Sequence, residues 1–283
     1  MLITFVNAND ESFAIQDNYI LSKNWSGFSE IPIDHQMSKA PYQDGETYID
    51  TLFSSRILTI EFLIKGNDRQ EVFDRRLTVA KQFNPKLGVG KIIWQQEDGT
   101  EYYIDCIPYT PIFPDGKAQN KWYQAVILQF IAPNPFWYDP TQLEKIMVGF
   151  SGGFSFPFSF PVSFGTVGTQ IEAINTGNVD TPIMIYLYGE VVDPVITNTT
   201  TDEAITIVKT VDDGDILIIN TAFGEKGALI LSGGEYSNAF EYVDPDSVFW
   251  KLAPGSNTLS YSVTSEGENA QCRIYYFNRF SGV

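Results

Sequence analysis

Residues 150–165 read FSGGFSFPFSFPVSFG. Pro157 and Pro161 stand four residues apart in this stretch. Proline at that spacing forbids a regular helix and weakens a central strand. The phenylalanines are too apolar for a solvated linker of the Gly/Ser kind. The stretch is therefore expected to be an extended ribbon that lies against protein surface and buries alternate rings. Phe156, Phe158, Phe160 and Phe164 are the rings expected to dock. Gly152 and Gly153 supply the backbone freedom to turn into it. Its central position makes it the expected joint between two domains. The boundaries follow as residues 1–140, a linker over 141–165, and residues 166–283. A chain of 283 residues is long enough for each half to bury its own core.

The charge is uneven between the halves. Net charge is -17. Residues 1–150 hold 13 basic and 19 acidic side chains, whereas residues 151–283 hold 5 and 16. The balance argues against tight nucleic-acid binding, which needs a basic footprint. The second half suits a solvated, peripheral domain, and the first an assembly core. Cys106 and Cys272 fall in different expected domains and in apolar strand contexts, so buried free thiols and a reducing compartment are expected. The start, MLITFVNANDES, has no basic n-region or long apolar core. The apolar run near residues 125–133 is far shorter than the roughly 18 residues of a membrane span, so no membrane insertion is expected.

Period-2 patterns dominate the first half. Residues 2–6 read as a short strand, residues 31–37 alternate apolar and polar, and residues 41–50 read as a loop rich in Pro, Gly and Asp. Residues 56–65 form a longer strand with Leu58, Ile60, Phe62 and Ile64 on one face. One helix follows, with Asn67 as its N-cap and Gln70 at the capping-box position. Phe73, Leu77 and Ala80 form its stripe, with Val72, Val79 and Phe83 beside it, and Asn84-Pro85 ends it. Asp98-Gly99 turns a hairpin between residues 91–96 and 102–107, and a longer loop at residues 114–117 separates two further strands. Residues 132–140 read as an ordered exit without a strand. Beyond residue 166 no helical period occurs, and short strands recur at 183–188, 204–209, 216–220, 228–231, 257–263 and 272–277. The fold class expected is mostly β: an N-terminal α+β domain, a β-sandwich with one helix and hairpins, and a C-terminal β-sandwich or jelly roll.

Chemistry has no obvious seat. His35 is the sole histidine, and its alternating strand makes a structural role the expectation. A single histidine removes most Ser-His and Cys-His arrangements and most zinc sites. Asp212-Asp213-Gly214-Asp215 does not have the spacing of an EF-hand loop. Gly88-Val89-Gly90-Lys91 does not have the spacing of a P-loop or dinucleotide fingerprint and reads as a turn entering a strand. No carboxylate pair is singled out for glycoside hydrolysis. No catalytic residue, cofactor or metal is expected, and the chain is read as a non-enzyme.

Taken in order, several segments resemble a known family. They are the Asp44-Gly45 loop, Arg56-Ile57-Leu58-Thr59-Ile60 leading to Gly66, the helix closing on Phe83-Asn84-Pro85, and Ala132-Pro133-Asn134-Pro135-Phe136-Trp137-Tyr138. The Phe/Pro stretch, Asn175-Thr176-Gly177-Asn178 with Thr181-Pro182-Ile183, Leu252 to Leu259, and Arg273 to Val283 complete them. The chain resembles the distal tail proteins of phages with long non-contractile tails that infect Gram-positive bacteria. That resemblance implies a structural virion protein at the tail tip, assembled in the host cytoplasm. It implies a homo-hexameric ring built by the N-terminal domains, joining the tail-tube protein to the tail-associated protein. It implies a galectin-like C-terminal β-sandwich, which in several members anchors receptor-binding proteins. The galectin-type sugar motif, His-x-Asn-Pro-Arg with a downstream Trp-x-x-Glu, is not found here, which argues against direct sugar binding through it. The alternative is a monomeric carbohydrate-binding β-sandwich module. It would use exposed aromatics such as Tyr236, Tyr242 or Trp250, for which burial in the core is the competing expectation.

Overall fold

The computed structural model describes residues 2–114, 119–148, 169–267 and 269–283. The chain forms two compact units: residues 1–140 with 280–283, and residues 141–279. It is mostly β, with one α-helix among the described residues.

The first unit runs β1 (Leu2–Val6), β2 (Ser12–Ala14), β3 (Tyr19–Ser26), β4 (Ile33–Ser38), β5 (Thr47–Phe53) and β6 (Arg56–Lys65). Helix α1 (Arg69–Gln82), β7 (Gly90–Gln95), β8 (Glu101–Pro108), β9 (Tyr123–Ala132) and β10 (Trp137–Tyr138) follow. The main sheet has the order β2-β1-β7-β8-β9-β6-β3. Two strands separate β1 from β9 in that order, yet the Phe5 and Phe130 rings lie 5.3 Å apart. The sheet is therefore curled around its core, since neighbouring strands alone are about 4.8 Å apart. Leu58, Ile60, Phe62 and Ile64 of β6 all point into that core, as the period-2 pattern requires. Helix α1 closes it with Val72, Val79 and Phe83.

The helix differs from expectation in two ways. Asp68, one residue later than Asn67, is the N-cap, and its carboxylate accepts from the Glu71 N–H at 2.8 Å. Glu71 in turn accepts from the Asn67 N–H at 2.6 Å, so the box closes one position on from Gln70. The stripe of Phe73 and Leu77 faces water, each about half exposed. The stripe beside it is the one that packs.

At the base of β6 sits Arg56, fully buried. Its guanidinium donates to the carbonyls of Gly27 (3.0 Å) and Phe28 (2.7 Å), and to that of Ser281. Burial pulls its pKa down to about 10, so it stays charged at neutral pH and has only carbonyl dipoles around it. The indole of Trp137 donates to the same Phe28 carbonyl at 2.9 Å. Trp137 belongs to a short strand within the segment expected to be strand-free, pairing with β8 through Tyr138 and Tyr103.

The second unit contains β11 (Leu143–Met147), β12 (Thr169–Asn175), β13 (Ile183–Tyr188), β14 (Val191–Val192), β15 (Val195–Asn198) and β16 (Glu203–Thr206). Then come β17 (Thr210–Val211), β18 (Ile216–Asn220), β19 (Gly227–Ser232), β20 (Glu235–Asn238), β21 (Gly255–Ser262), β22 (Ser265–Glu266) and β23 (Gln271–Tyr276). Strand β24 (Arg279–Phe280) returns to pair with β10. A six-stranded sheet, β11-β23-β13-β18-β19-β20, and a four-stranded sheet, β12-β21-β15-β16, bury one face each. Ile185, Leu187, Ile219 and Ile274 come from the first and Ala173, Ile196, Leu259 and Tyr261 from the second. This is a β-sandwich of the expected kind.

The described strands that flank the Phe/Pro stretch fall in one unit. Strand β11, inside the segment expected as linker, pairs with β23 along its whole length. Strands β11 and β12, on either side of the stretch, both belong to the second unit. The Thr169 hydroxyl donates to the Val148 carbonyl within that unit. The chain crosses between units at residues 140–141 instead. Phe156, Phe158, Phe160 and Phe164 lie outside the described residues.

Arg56→Ala would leave the Gly27, Phe28 and Ser281 carbonyls buried and unpaired. It is expected to cost the first unit about 3 kcal/mol or more. Calorimetry should show one transition shifted down and the transition of the sandwich unchanged.

Candidate assembly surface

Strands β4 and β5 form a two-stranded sheet of their own, outside the curled sheet. Residues 33–38 are all exposed, and in β5 only Thr51 is partly covered. The sequence pattern gives strand β4, but the Pro/Gly/Asp content of residues 41–50 conceals where β5 begins. Tyr42 and Gly45 both take positive φ, at 64° and 78°, in the loop between the strands. Gly45 is the residue type that conformation favours.

Cross-strand register sorts the side chains. Ile33 opposes Phe53, His35 opposes Thr51, and Met37 opposes Tyr48. Partners across an antiparallel pair share a face. This face is therefore apolar, with His35 and Thr51 at its centre, 2.9 Å apart in a shared hydrogen bond. The Tyr48 hydroxyl bonds the same Thr51 oxygen at 2.9 Å. The opposite face carries Asp34, Gln36 and Asp50 together with Leu52, which opposes Asp34 and is about half exposed, and Gln36 donates to Asp34 at 2.6 Å. A bulge at Gln36/Met37 adds Ile49, which is 63% exposed. The base is fixed: Ser54 N–H donates to the Pro32 carbonyl at 2.9 Å, and Phe53 meets Phe136 edge-on at 5.6 Å.

An isolated hairpin is marginal in water, and one with an apolar face and two open edges invites a partner. His35 is exposed on this surface and bonded to Thr51, so its expected structural role is to order the hairpin. Nothing else in the described residues gathers chemistry. No group of three His, Cys, Asp or Glu side chains is placed to hold a metal ion. Cys106 and Cys272 are free, buried, and held as neutral thiols because burial raises their pKa. Asp212-Asp213-Gly214-Asp215 is a turn, closed by the Asp215 N–H on the Asp212 carbonyl at 3.1 Å. Among the described residues no helix is long and apolar enough to cross a membrane. Of the aromatics considered for sugar binding, Trp250 is buried and Tyr242 half-buried, whereas Tyr236 is 66% exposed. Burial was the wrong expectation for Tyr236.

Residues 12–132 match the family model for a phage tail protein RIFT-related domain. Residues 176–280 match the model for a siphovirus-type tail component, C-terminal domain. The chain belongs to the distal tail protein family. No curated protein sequence matches it. Among solved structures, it is similar to the Dit protein of phage SPP1, described as a paradigm of hub adsorption apparatus in phages infecting Gram-positive hosts. Identity there is 14% and the TM-score 0.69, over 98% of this chain and 99% of that one. A chain of the phage P2 baseplate, in its activated conformation with calcium, matches at 9% identity and TM-score 0.54 over the full length of both. The strontium form gives the same identity and score, over 100% of this chain and 99% of that one. At these identities the likeness shows the shared fold. Membership of the family makes this a structural component of a phage tail.

Two of the segments that carried the resemblance are clamps. Asn175 donates to the carbonyls of Val179 (2.9 Å) and Leu252 (3.0 Å) and accepts from Gly177 N–H at 2.9 Å. A Cβ on Gly177 would sit 2.0 Å from the Arg279 carbonyl oxygen, so only glycine fits. Asn257 holds the 253–255 turn through both sides of its amide.

The hairpin's apolar face touches little of its own unit. Replacing Ile33 and Met37 together by Asp is expected to change unfolding free energy by no more than about 0.5 kcal/mol. Denaturant titration checks it. A loss of several kcal/mol would mean that the face packs inward.

Proposed function

We propose that the chain is a ring-forming hub of the tail tip. Six copies close a ring through their first units, and the ring joins the tail-tube protein above to the tail-associated protein below. Receptor-binding proteins attach to the sandwich. The observation that carries this reading is the β4–β5 hairpin. Ile33, Met37, Tyr48 and Ile49 lie side by side on its apolar face, each at least half exposed, and contiguous exposed apolar residues mark interaction sites. In the proposed ring a neighbouring copy covers it with a different surface. Such a head-to-tail contact generates a ring when the rotation closes. Charge supports it: that face carries no Asp, Glu, Lys or Arg. An acidic chain around a DNA channel would also avoid holding the passing genome, because phosphate binding needs basic side chains. Assembly in the host cytoplasm fits the two buried free thiols.

The protein acts by assembly, without catalysis. Buried neutral thiols offer no nucleophile, and His35 is bonded to a threonine hydroxyl with no cysteine or serine nucleophile among its hydrogen-bond partners.

Light scattering with negative-stain microscopy on the full chain tests the ring. Closed rings of about six times the chain mass are expected at high protein concentration. The Ile33→Asp, Met37→Asp double variant should remain monomeric at the same concentration. Rings that persist in the variant would move the contact elsewhere, and a parent protein that stays monomeric at its solubility limit would overturn the ring. Separately, the purified protein should release neither sugar nor peptide from isolated Gram-positive cell walls. Reproducible release that survives repurification would show an active site.

A further inference from the structure

The outer face of the six-stranded sheet is polar at its β11–β23 end, where Arg273 pairs with Glu144, but apolar toward β20, where a solvated face is usually polar. Strand β13 reads Ile-Met-Ile-Tyr-Leu-Tyr, so Met184 and Tyr186 point outward while Ile183, Ile185 and Leu187 fill the core. A groove of about 660 Å³ lies on this face. Met184, Ile218 and Leu229 line it together with the rings of Tyr186, Tyr236 and Phe240. The groove runs to β20, the last strand of the sheet order, which has β19 as its one neighbour.

The turn before β20 fixes which backbone groups are open. Gly233 and Gly234, with φ of 58° and 90°, make a two-residue turn between Ser232 and Glu235. In such a hairpin the pair flanking the turn exchanges hydrogen bonds, and the alternate pair does not. Ser232–Glu235 and Ile230–Ser237 therefore bond across the ladder. The Ala239 N–H on the Ala228 carbonyl, at 2.9 Å, continues that alternation. Tyr236 and Asn238 are left with their N–H and C=O directed away from the sheet. The same two residues line the groove. All four residues of β20 are exposed, and no proline or bulge blocks the edge.

We infer that β20 and its groove are a docking site for an extended segment of a partner protein, which adds to the sheet as a further strand. Backbone pairing to Tyr236 and Asn238 would give affinity, and apolar side chains over Leu229 and Ile218 would give selection. An aliphatic lining suits polypeptide side chains better than a saccharide, which needs a dense set of polar groups. Glu225 in the groove lining, Glu235 at the start of β20 and Glu241 beside Phe240 outnumber Lys226. The segment is accordingly neutral or basic, and a polyanion is excluded. This inference is independent of the ring.

Extended peptides alternating apolar residues with Ser or Lys, and their Glu counterparts, serve as probes against the full chain. Amide chemical shifts and titration calorimetry give the readout. The Ser/Lys peptides should perturb Tyr236, Asn238 and Leu229, and the Glu peptides should not. Tyr236→Pro removes one open-edge N–H that the fold does not use. It should keep the parent melting temperature and weaken binding about tenfold or more, through the loss of one backbone bond and of the Tyr236 ring from the groove. Leu229→Asp should do the same through the groove. Ser237→Pro breaks a ladder bond and reports what local unfolding looks like. Equal binding by the folded Tyr236→Pro variant, or no binding by any Ser/Lys peptide, overturns the inference. So does perturbation of these amides by neutral oligosaccharides alone, which would make the groove a sugar site.

Discussion

A charged guanidinium that has no carboxylate partner among the described residues anchors the first unit. Arg56 reaches three carbonyls from two distant places in the chain, at residues 27–28 and 281. Each part is needed by the next. Gly27 turns with φ of 85°, and a Cβ there would lie 2.1 Å from the Ile57 carbonyl oxygen. That turn aims the Phe28 carbonyl at both Arg56 and Trp137. The Phe28 ring then stacks on Trp137 at 5.4 Å and meets Trp94 edge-on at 5.3 Å. Residues 281–283 seat beside it: a Cβ on Gly282 would fall 2.3 Å from the Ser29 carbonyl oxygen, and the Ser29 hydroxyl donates to the Val283 carbonyl at 3.1 Å. Burying a cation among dipoles is costly unless they are fixed in advance. Here the glycine turn and the aromatic cluster fix them.

Much of the framework was legible from pattern alone. The alternation of β6, the Asp98-Gly99 hairpin and the helix-free second half follow directly from side-chain period and turn chemistry. What pattern could not give was which of two adjacent stripes of α1 packs. Phe73 and Leu77 are the larger residues, but Val72, Val79 and Phe83 are the ones whose direction meets the curled sheet. Nor could it give β5, whose start is masked by turn-forming residues just before it. The hairpin's exposure was also invisible, because alternation predicts a half-buried strand and says nothing of a missing sheet beneath it. A usable signal was present: Tyr48, Ile49, Leu52 and Phe53 are more apolar than a loop tip requires.

The Phe/Pro stretch shows a different limit. Its composition argues against a helix and against a hydrophilic linker, and the stretch itself lies outside the described residues. Position in the chain was the misleading cue, because mid-chain and between domains are separate statements. Only the pairing of β11 with β23, residues 143–147 against 272–276, places the crossing before the stretch. Lys145 and Glu144 alternate with Leu143 and Ile146 there, too short a run to stand out beside so distinctive a neighbour.

The two units solve the same problem of apolar excess in different ways. In the first, surplus apolar area is gathered on one hairpin raised from the sheet, where a rigid base and a bulged strand present it as a unit. In the second, it lies along part of one sheet face and ends at an open strand edge. Neither device stabilises the unit that bears it, since exposed apolar area contributes nothing until it is covered. Acidic residues elsewhere keep the surroundings soluble and repel unselected partners. Apolar area withheld from the core and edges left unprotected are features of a part built to be joined. That is the physical content of calling this chain a structural tail protein.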